Sequence, residues 1–274
     1  MIENEQNGPL LPSGESRDQV VLKDLQVEYS KVENILSSNL GNLSNKDKYD
    51  IVKFSIKVNA IHDYQWEVYR KPSEIKKNFA DIQRELSRNN MRPTGEKASY
   101  FSKVANLADD SLQSHISEIQ NYYSTFFQDP QIYKTLSLKE FFNISVESFN
   151  QNTNGKKPFE GWIQKKADPQ CLRTAFSYVC KCLEYFLFPQ YNDRWFVLKD
   201  DSIYYMDESN SQITKNVYIF DKNSEVRKEG KNFISAIIGN RHLILKFKTI
   251  FEREIWYMEI MKRVNAFKNA NNNI

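Results

Sequence analysis

The feature that most constrains this chain is a succession of short β-strand patterns in its last third, followed by one helix. The first strand pattern is Phe159–Lys166 (FEGWIQKK), and the second is Arg194–Met206 (RWFVLKDDSIYYM). Apolar residues around Trp256 recur at the spacing of an amphipathic helix. The whole succession needs about one hundred residues, which is the usual size of a single domain.

An apolar insertion separates the first two strand patterns. Residues 168–193 read DPQCLRTAFSYVCKCLEYFLFPQYND and hold all three cysteines of the protein. If this segment is helical, its apolar face can lie in the plane of a membrane interface, and acylation of a cysteine would strengthen that contact. The alternative is a helix packed on the protein with its cysteines buried, since free cysteine is among the most buried residue types. The predicted membrane-inserting or acylated residues are Cys171, Phe176, Cys180, Cys182 and Phe186.

Composition excludes several classes of protein. The chain has 274 residues, of which 40% are hydrophobic and 14% aromatic, so it has room for about two packed domains and is not disordered. Its first residues lack the features of a secretory signal, and the best apolar stretch, residues 172–188, is charged and too short to span a membrane. Cysteines confined to one stretch are typical of a reducing compartment, which predicts a cytoplasmic protein. They lack a credible fourth metal ligand, so no metal or other cofactor is expected.

The distribution of charge is more informative than the net charge of +3. Acidic side chains outnumber basic ones in residues 1–50, whereas basic ones are in excess in residues 156–274. This excess is small and lacks arginine clusters, so nucleic acid is not the expected partner. An anionic lipid surface requires less positive charge, which makes it the better candidate.

The rest of the chain divides into a tail and one further domain. Residues 1–48 are predicted to be a flexible acidic tail with a short helix over residues 20–36. Residues 49–149 hold two strand patterns, Ile51–Val58 and Gln65–Tyr69, and then helical patterns that begin with residues 75–86. The polar segment 150–157 is predicted to be a linker, and the last domain extends over residues 158–268.

The order of these patterns resembles two known domains in tandem. The strands FEGWIQKK and RWFVLKDDSIYYM with the Trp256 helix resemble a pleckstrin homology (PH) domain. Two strands, a basic pair, a helix, a proline loop and further helices resemble a phox homology (PX) domain. This succession, with the words PQIYKTLSLKEFFNIS that close the first unit, is similar to the N-terminal regulatory PX-PH region of eukaryotic phospholipase D.

The resemblance implies an α+β fold in two parts. The first part is a PX-like domain, a small antiparallel sheet with helices. The second is a PH domain, an antiparallel β-sandwich or barrel capped by a C-terminal helix. In the phospholipase D family the loop between the first two PH strands carries palmitoylated cysteines, which implies the same modification here.

The catalytic motif of that family is absent from this chain. Phospholipase D uses a duplicated His-x-Lys-x4-Asp motif, in which the histidine attacks the phosphodiester. None of His62, His115 and His242 is followed by lysine at the second position after it. This chain is therefore expected not to be an enzyme.

Basic residues on both sides of the insertion are the predicted site for a lipid headgroup. In PH domains the end of the first strand and the start of the second flank one loop mouth, where a phosphoinositide binds. Each basic side chain close to an anionic leaflet contributes about 1 kcal/mol. The predicted headgroup ligands are Lys165, Lys166, Arg194, Lys199 and Lys215.

A weaker headgroup site is predicted in the PX-like unit. In PX domains an arginine after the second strand holds an inositide phosphate, and Arg70 and Lys71 occupy that place here, followed by Pro72 where the family has an aromatic residue. The family's later arginine falls near His115 and Ile116, which cannot form the bidentate contact of a guanidinium group. Most lipid binding is therefore expected in the PH domain.

These observations predict a monomeric, peripheral membrane protein on the cytoplasmic side that binds membranes containing phosphoinositides. Two alternatives stay open. The chain is the N-terminal fragment of an active phospholipase D that hydrolyses phosphatidylcholine to phosphatidic acid, or it is a PX-PH adaptor that binds proteins in membrane trafficking.

Overall fold

The computed structural model describes residues 20–36, 47–59, 63–91, 96–107, 109–149, 157–167 and 190–272. The N-terminal unit contains the strands β1 (Val21–Lys31), β2 (Asp50–Asn59) and β3 (Asp63–Arg70). Its helices are α1 (Val32–Leu36), α2 (Pro72–Arg88), α3 (Glu96–Ala105), α4 (Ile116–Gln128), α5 (Pro130–Tyr133) and α6 (Leu136–Phe141), with a 3-10 helix at Asp109–His115. The C-terminal unit contains β4 (Phe159–Lys166), β5 (Tyr191–Leu198), β6 (Ser202–Met206), β7 (Asn216–Ile219), β8 (Glu225–Glu229), β9 (Phe233–Ile238), β10 (Arg241–Lys246) and the helix α7 (Ile250–Asn272).

The first sheet is antiparallel, in the order β1-β2-β3. Its central strand β2 alternates as predicted, with Phe54, Ile56 and Val58 fully buried. The ring of Phe54 meets those of Tyr123 in α4 and Phe142 after α6 edge-on, each at 5.5 Å between ring centres. The helical layer therefore packs on one face of this sheet and forms the core of the unit with it.

Helix α2 confirms the helical pattern that follows the second strand. It begins at Pro72, whose fixed φ suits the first turn of a helix. The backbone N–H of Lys71 donates to the Glu74 carboxylate at 2.7 Å, which satisfies a group just before the helix. The buried face of the helix consists of the four predicted apolar residues and one asparagine: Ile75, Asn78, Phe79, Ile82 and Leu86.

The predicted helix over residues 20–36 is wrong for most of its length, because β1 occupies Val21–Lys31. The apolar residues of this segment fit two periods, since Leu25 and Val27 are also two positions apart. Pairing decides between them: Leu25 lies opposite Ile56 and Val27 opposite Phe54, and both side chains are buried. The sequence placed the start of this domain at residue 49. The first sheet begins earlier, at Val21.

The pattern Arg194–Met206 is two strands instead of one. β5 ends at Leu198 and β6 begins at Ser202, and the N–H of Lys199 donates to the carbonyl of Ser202 at 2.8 Å to close the hairpin. The three residues between the strands, 199–201, read KDD. They are polar, and aspartate is among the residues that favour turns.

The second sheet is antiparallel, and over the described residues it has seven strands, in the order β7-β6-β5-β4-β10-β9-β8. Helix α7 closes one end of its apolar face, where Trp256 packs edge-on against Phe159 with ring centres 4.6 Å apart. The predicted fold class, a PX-like antiparallel sheet with helices followed by a PH sheet capped by a C-terminal helix, is confirmed.

A buried carboxylate joins the two units. Glu160 near the start of β4 has no exposed side-chain surface, and it accepts from Lys157 Nζ at 2.6 Å and from Trp195 Nε1 at 2.9 Å. The hydroxyl groups of Ser145 and Ser148, which follow α6, donate to the same carboxylate. The end of the first unit is therefore bonded to the outer face of the second sheet.

A second contact between the units is apolar. Phe251 at the start of α7 packs with Val32, Leu36 and Ile51 of the first unit in one buried cluster. Its ring also meets that of Tyr69 in β3, with ring centres 5.4 Å apart. The capping helix of the second unit therefore contributes to the core beside the first sheet.

Candidate functional site

The site lies at the end of the PH sheet that is farther from Trp256. β4 runs from Phe159, which touches Trp256, to Lys166 at the opposite end. At that end Lys165 lies opposite Asn192 of β5, so the residues on either side of the insertion are neighbours in space. The starts of β7 and β10 reach the same end, because their partner strands run towards it.

Two predicted headgroup ligands share one carboxylate there. Asp207, just after β6, accepts from Arg194 Nε at 3.3 Å and from Lys215 Nζ at 2.9 Å. All three side chains are partly or largely accessible, with exposed fractions of 30% for Arg194 and 48% for Lys215. A single carboxylate leaves one positive charge of the pair uncompensated, and phosphate oxygens can compete for both cations in water.

Lys165 belongs to the same end but is not a surface lysine. Lys165 is only 5% exposed. Its Nζ lies 5.6 Å from the centre of the Tyr205 ring and 3.1 Å from the carbonyl oxygen of Lys166. The inward position follows from the alternation of β4, since Ile163, two residues earlier, lies in the core. Lys166 points to the other face and is half-buried.

Arg241 joins this cluster although the sequence did not single it out. Its Nη1 donates to Asn216 Oδ1 at 3.2 Å, and Asn216 Nδ2 donates to the Tyr205 hydroxyl at 2.7 Å. Its guanidinium group also lies 5.7 Å from the centre of the Tyr218 ring. Gly239, at φ 57°, makes the β9–β10 turn just before Arg241, so a hairpin assignment from that glycine could have located it. We name the cluster of Lys165, Arg194, Asp207, Lys215 and Arg241 the basic end.

The structure places Lys199 away from the basic end. It lies in the β5–β6 turn at the other end of β5, where its Nζ is 3.4 Å from the Glu147 carboxylate. The Tyr204 hydroxyl donates to that carboxylate at 3.0 Å. Lys199 therefore takes part in the contact between the two units.

Arg70 of the predicted PX site turns into the protein. Its guanidinium group donates to the carbonyls of Tyr69 at 2.9 Å and of Phe141, and to Asn143 Oδ1 at 2.7 Å. Burial lowers the pKa of Arg70 from its ordinary value. Lys71 lies with its Nζ 4.2 Å from the centre of the Tyr49 ring. Arg70 therefore holds the end of α6 against β3.

The five predicted membrane-inserting or acylated residues, Cys171, Phe176, Cys180, Cys182 and Phe186, lie outside the described residues. None of the helices in the described ranges is long and apolar enough to cross a membrane. Those ranges also contain no group of three His, Cys, Asp or Glu side chains that could hold a metal ion.

Comparison with known proteins identifies the second unit. Residues 157–265 match the family model of the PH domain. No curated protein matches the sequence. Among solved structures the chain is similar to the N-terminal PH domain of human ARAP2, with 18% identity and a TM-score of 0.29 over 43% of this chain and 86% of that chain. It is also similar to the tandem PX-PH domains of Bem3 from Saccharomyces cerevisiae, with 12% identity and a TM-score of 0.26 over 85% of this chain and 92% of that chain.

The second unit is thus a PH domain, and a PX-like unit precedes it. The PH assignment depends on the family model and on the observed sheet with its capping helix. The resemblance to phospholipase D and the acylation of the cysteines stay predictions.

Proposed function

We propose that this chain binds phosphoinositide headgroups at the cytoplasmic face of a membrane, through the basic end of its PH domain. It acts as a peripheral binding module and performs no chemistry of its own. The observation that carries the proposal is the gathering of four cations at the end of the sheet where β4 and β5 flank the insertion. Arg194 and Lys215 hold Asp207, Lys165 lies over the Tyr205 ring, and Arg241 bonds to Asn216.

The geometry gives each cation a different part in binding. Arg194 and Lys215 are accessible and already hold a carboxylate, so a phosphate group can take the place of the Asp207 oxygens. Arg241 offers a second guanidinium fork on the neighbouring hairpin. Lys165 is buried behind them, and its charge strengthens the local field without requiring contact with lipid.

The test removes the accessible charges and keeps the buried lysine. The triple variant Arg194→Gln, Lys215→Gln and Arg241→Gln is expected to lose most binding to phosphatidylcholine vesicles that contain a phosphoinositide. Each basic residue contributes about 1 kcal/mol at an anionic surface, so each change weakens binding roughly fivefold and the three together about a hundredfold. Cosedimentation with vesicles at physiological salt measures the effect.

The matched control removes the same charge at the other end of the domain. Lys248→Gln, Lys262→Gln and Lys268→Gln lie in or just before α7, and this triple variant should keep most of its binding. Wild-type binding is also compared between vesicles that contain a phosphoinositide and vesicles that contain phosphatidylserine at the same surface charge. Stronger binding to the first separates headgroup recognition from general attraction to an anionic surface. Equal losses in the two triple variants would show that net charge alone drives binding, and full retention by the first would exclude the basic end as the site.

A further inference from the structure

The edge strand β7 combines exposed apolar side chains with unused backbone groups. Among the described strands β7 pairs only with β6. Val217 and Ile219 are 48% and 65% exposed on its outer face, whereas the residues that alternate with them, Tyr218 and Phe220, are buried in the core. Exposed apolar edge strands are uncommon, because such an edge is a template for pairing with another strand.

The same two residues present their backbone groups to the open side. The Phe220 N–H donates to the Asp201 carbonyl of the β5–β6 turn at 2.8 Å. In an antiparallel ladder, alternate residues direct both N–H and C=O to the same neighbour. Val217 and Ile219 therefore direct theirs away from β6.

The sequence of this edge is complementary to itself. The segment reads Lys-Asn-Val-Tyr-Ile-Phe-Asp over residues 215–221. If two copies pair antiparallel about Tyr218, Val217 of one copy lies opposite Ile219 of the other. Both residues direct their N–H and C=O groups away from β6, so these groups can bond to the partner strand. In the same register Lys215 of one copy comes next to Asp221 of the other at both ends, although Lys215 also holds Asp207 and donates its own N–H to Tyr205. An isologous contact of this kind closes on itself and forms a dimer.

We propose that a second copy of this chain pairs with β7, antiparallel and centred on Tyr218, to form a two-fold dimer with a continuous sheet across the contact. The contact is short, and a strand of this length buries less surface than permanent dimers do. The dimer therefore dissociates on dilution, whereas the sequence predicts a monomer.

The orientation of the dimer has a consequence that rests on the function proposed above. β7 runs away from the basic end, since Asn216 is opposite Tyr205 and Ile219 is opposite Ser202 near the far turn. Antiparallel pairing about Tyr218 reverses the direction of the partner strand, so the two basic ends point in opposite directions. Such a dimer holds two membrane surfaces together, and we expect the wild-type protein to cluster vesicles that contain a phosphoinositide.

Sedimentation of the full chain tests the dimer without lipid. Over a rising concentration series the average mass of the wild type should increase from 32.4 kDa towards twice that value. Ile219→Lys should stay monomeric, because it places a charge opposite Val217 of the partner, whereas Ile237→Lys changes an equally apolar, 45% exposed residue on the inner strand β9 and should dimerise normally. A wild type that stays monomeric, or an Ile219→Lys variant that dimerises like Ile237→Lys, would overturn the proposal.

Cross-linking tests the register. In a background with Cys171, Cys180 and Cys182 changed to serine, Val217→Cys and Ile219→Cys are prepared separately and treated with a short thiol cross-linker. The expected register joins position 217 only to position 219, so a mixture of the two variants should cross-link well and each alone poorly. A yield from either variant alone as high as that from the mixture would contradict the register. In the vesicle assay, Ile219→Lys should bind but not cluster, and if the wild type binds no vesicles at all, the proposed function fails while the sedimentation result still decides the dimer.

Discussion

Replacing Glu160 by alanine is expected to lower the free energy of unfolding by about 3–5 kcal/mol, because it removes one partner of a fully buried ion pair. The Lys157 ammonium, 2% exposed at its side chain, would lose its counter-charge. Trp195 Nε1–H and the hydroxyl groups of Ser145 and Ser148 would lose their acceptor in the same step. Urea unfolding followed by tryptophan fluorescence measures the loss, since Trp195 reports on this contact directly.

The matched control is Glu225→Ala on β8. Glu225 also pairs with a cation, Arg227 at 2.7 Å, but both side chains are exposed. Exposed ion pairs contribute about 0–1 kcal/mol, so this change should have little effect on unfolding. A loss in Glu160→Ala as small as that of the control would show that the buried carboxylate does not hold the two units together.

The pH dependence of the Glu160→Ala variant gives an independent readout. Burial lowers the pKa of Lys157 below its ordinary 10.5, and the neighbouring Glu160 opposes this shift. Without Glu160 only the lowering remains, so the folded variant binds fewer protons than the unfolded chain between the lowered pKa and 10.5. Stability rises with pH where the unfolded state binds more protons. The difference in free energy of unfolding between the variant and the wild type should therefore shrink as the pH is raised from the lowered pKa of Lys157 towards 10.5.

The parts of this fold that could be predicted from the sequence are those whose pattern is local. β2 and α2 each bury one face, and the period of their apolar residues gives both the element and the buried side. The pattern of β4 gives the strand but not its buried side, since the neighbours Glu160 and Gly161 are both buried. The segment of β1 was ambiguous because Leu25 fits a helical spacing with Val21 and Val32, whereas Leu25 and Val27 together fit a strand. Only the pairing with β2, which lies beyond a long connection, decides for the strand.

The candidate site was predictable in its place but not in its details. The order of strands brings Arg194 to the end of β4, whatever the loop between them does. Lys165 points inward because its face of β4 becomes the core, which the pattern of β4 alone does not show. Arg241 lies beside Asn216 because of the turn between β9 and β10, which belongs to another hairpin. Two partners of Glu160, Ser145 and Ser148, come from the other unit, so a strand pattern containing this residue gives no sign of its role.

Arg70→Ala is the change that separates a structural arginine from a lipid ligand in the PX-like unit. We expect the free energy of unfolding to fall by several kcal/mol, since hydrogen bonds that involve a charged group contribute about 1.5–3 kcal/mol each and buried carbonyls would lose their donors. The group holds Asn143 Oδ1 and the carbonyls of Tyr69 and Phe141, so its removal loosens the end of α6 from β3. Phosphoinositide vesicle binding by the folded variant should equal that of the wild type.

Lys71→Ala is the matched control, because it removes the neighbouring positive charge. Lys71 contacts the protein mainly through the Tyr49 ring, and a cation–π contact at a partly exposed position contributes about 0.5–1 kcal/mol. This variant should therefore unfold almost like the wild type. If Arg70→Ala instead kept its stability and lost vesicle binding, Arg70 would be a headgroup ligand as the PX resemblance implies, and lipid recognition would extend beyond the PH domain. The bonds of Arg70 to the α6 end favour the structural role, since a guanidinium group directed at the protein's own carbonyls must give them up before it can hold a phosphate.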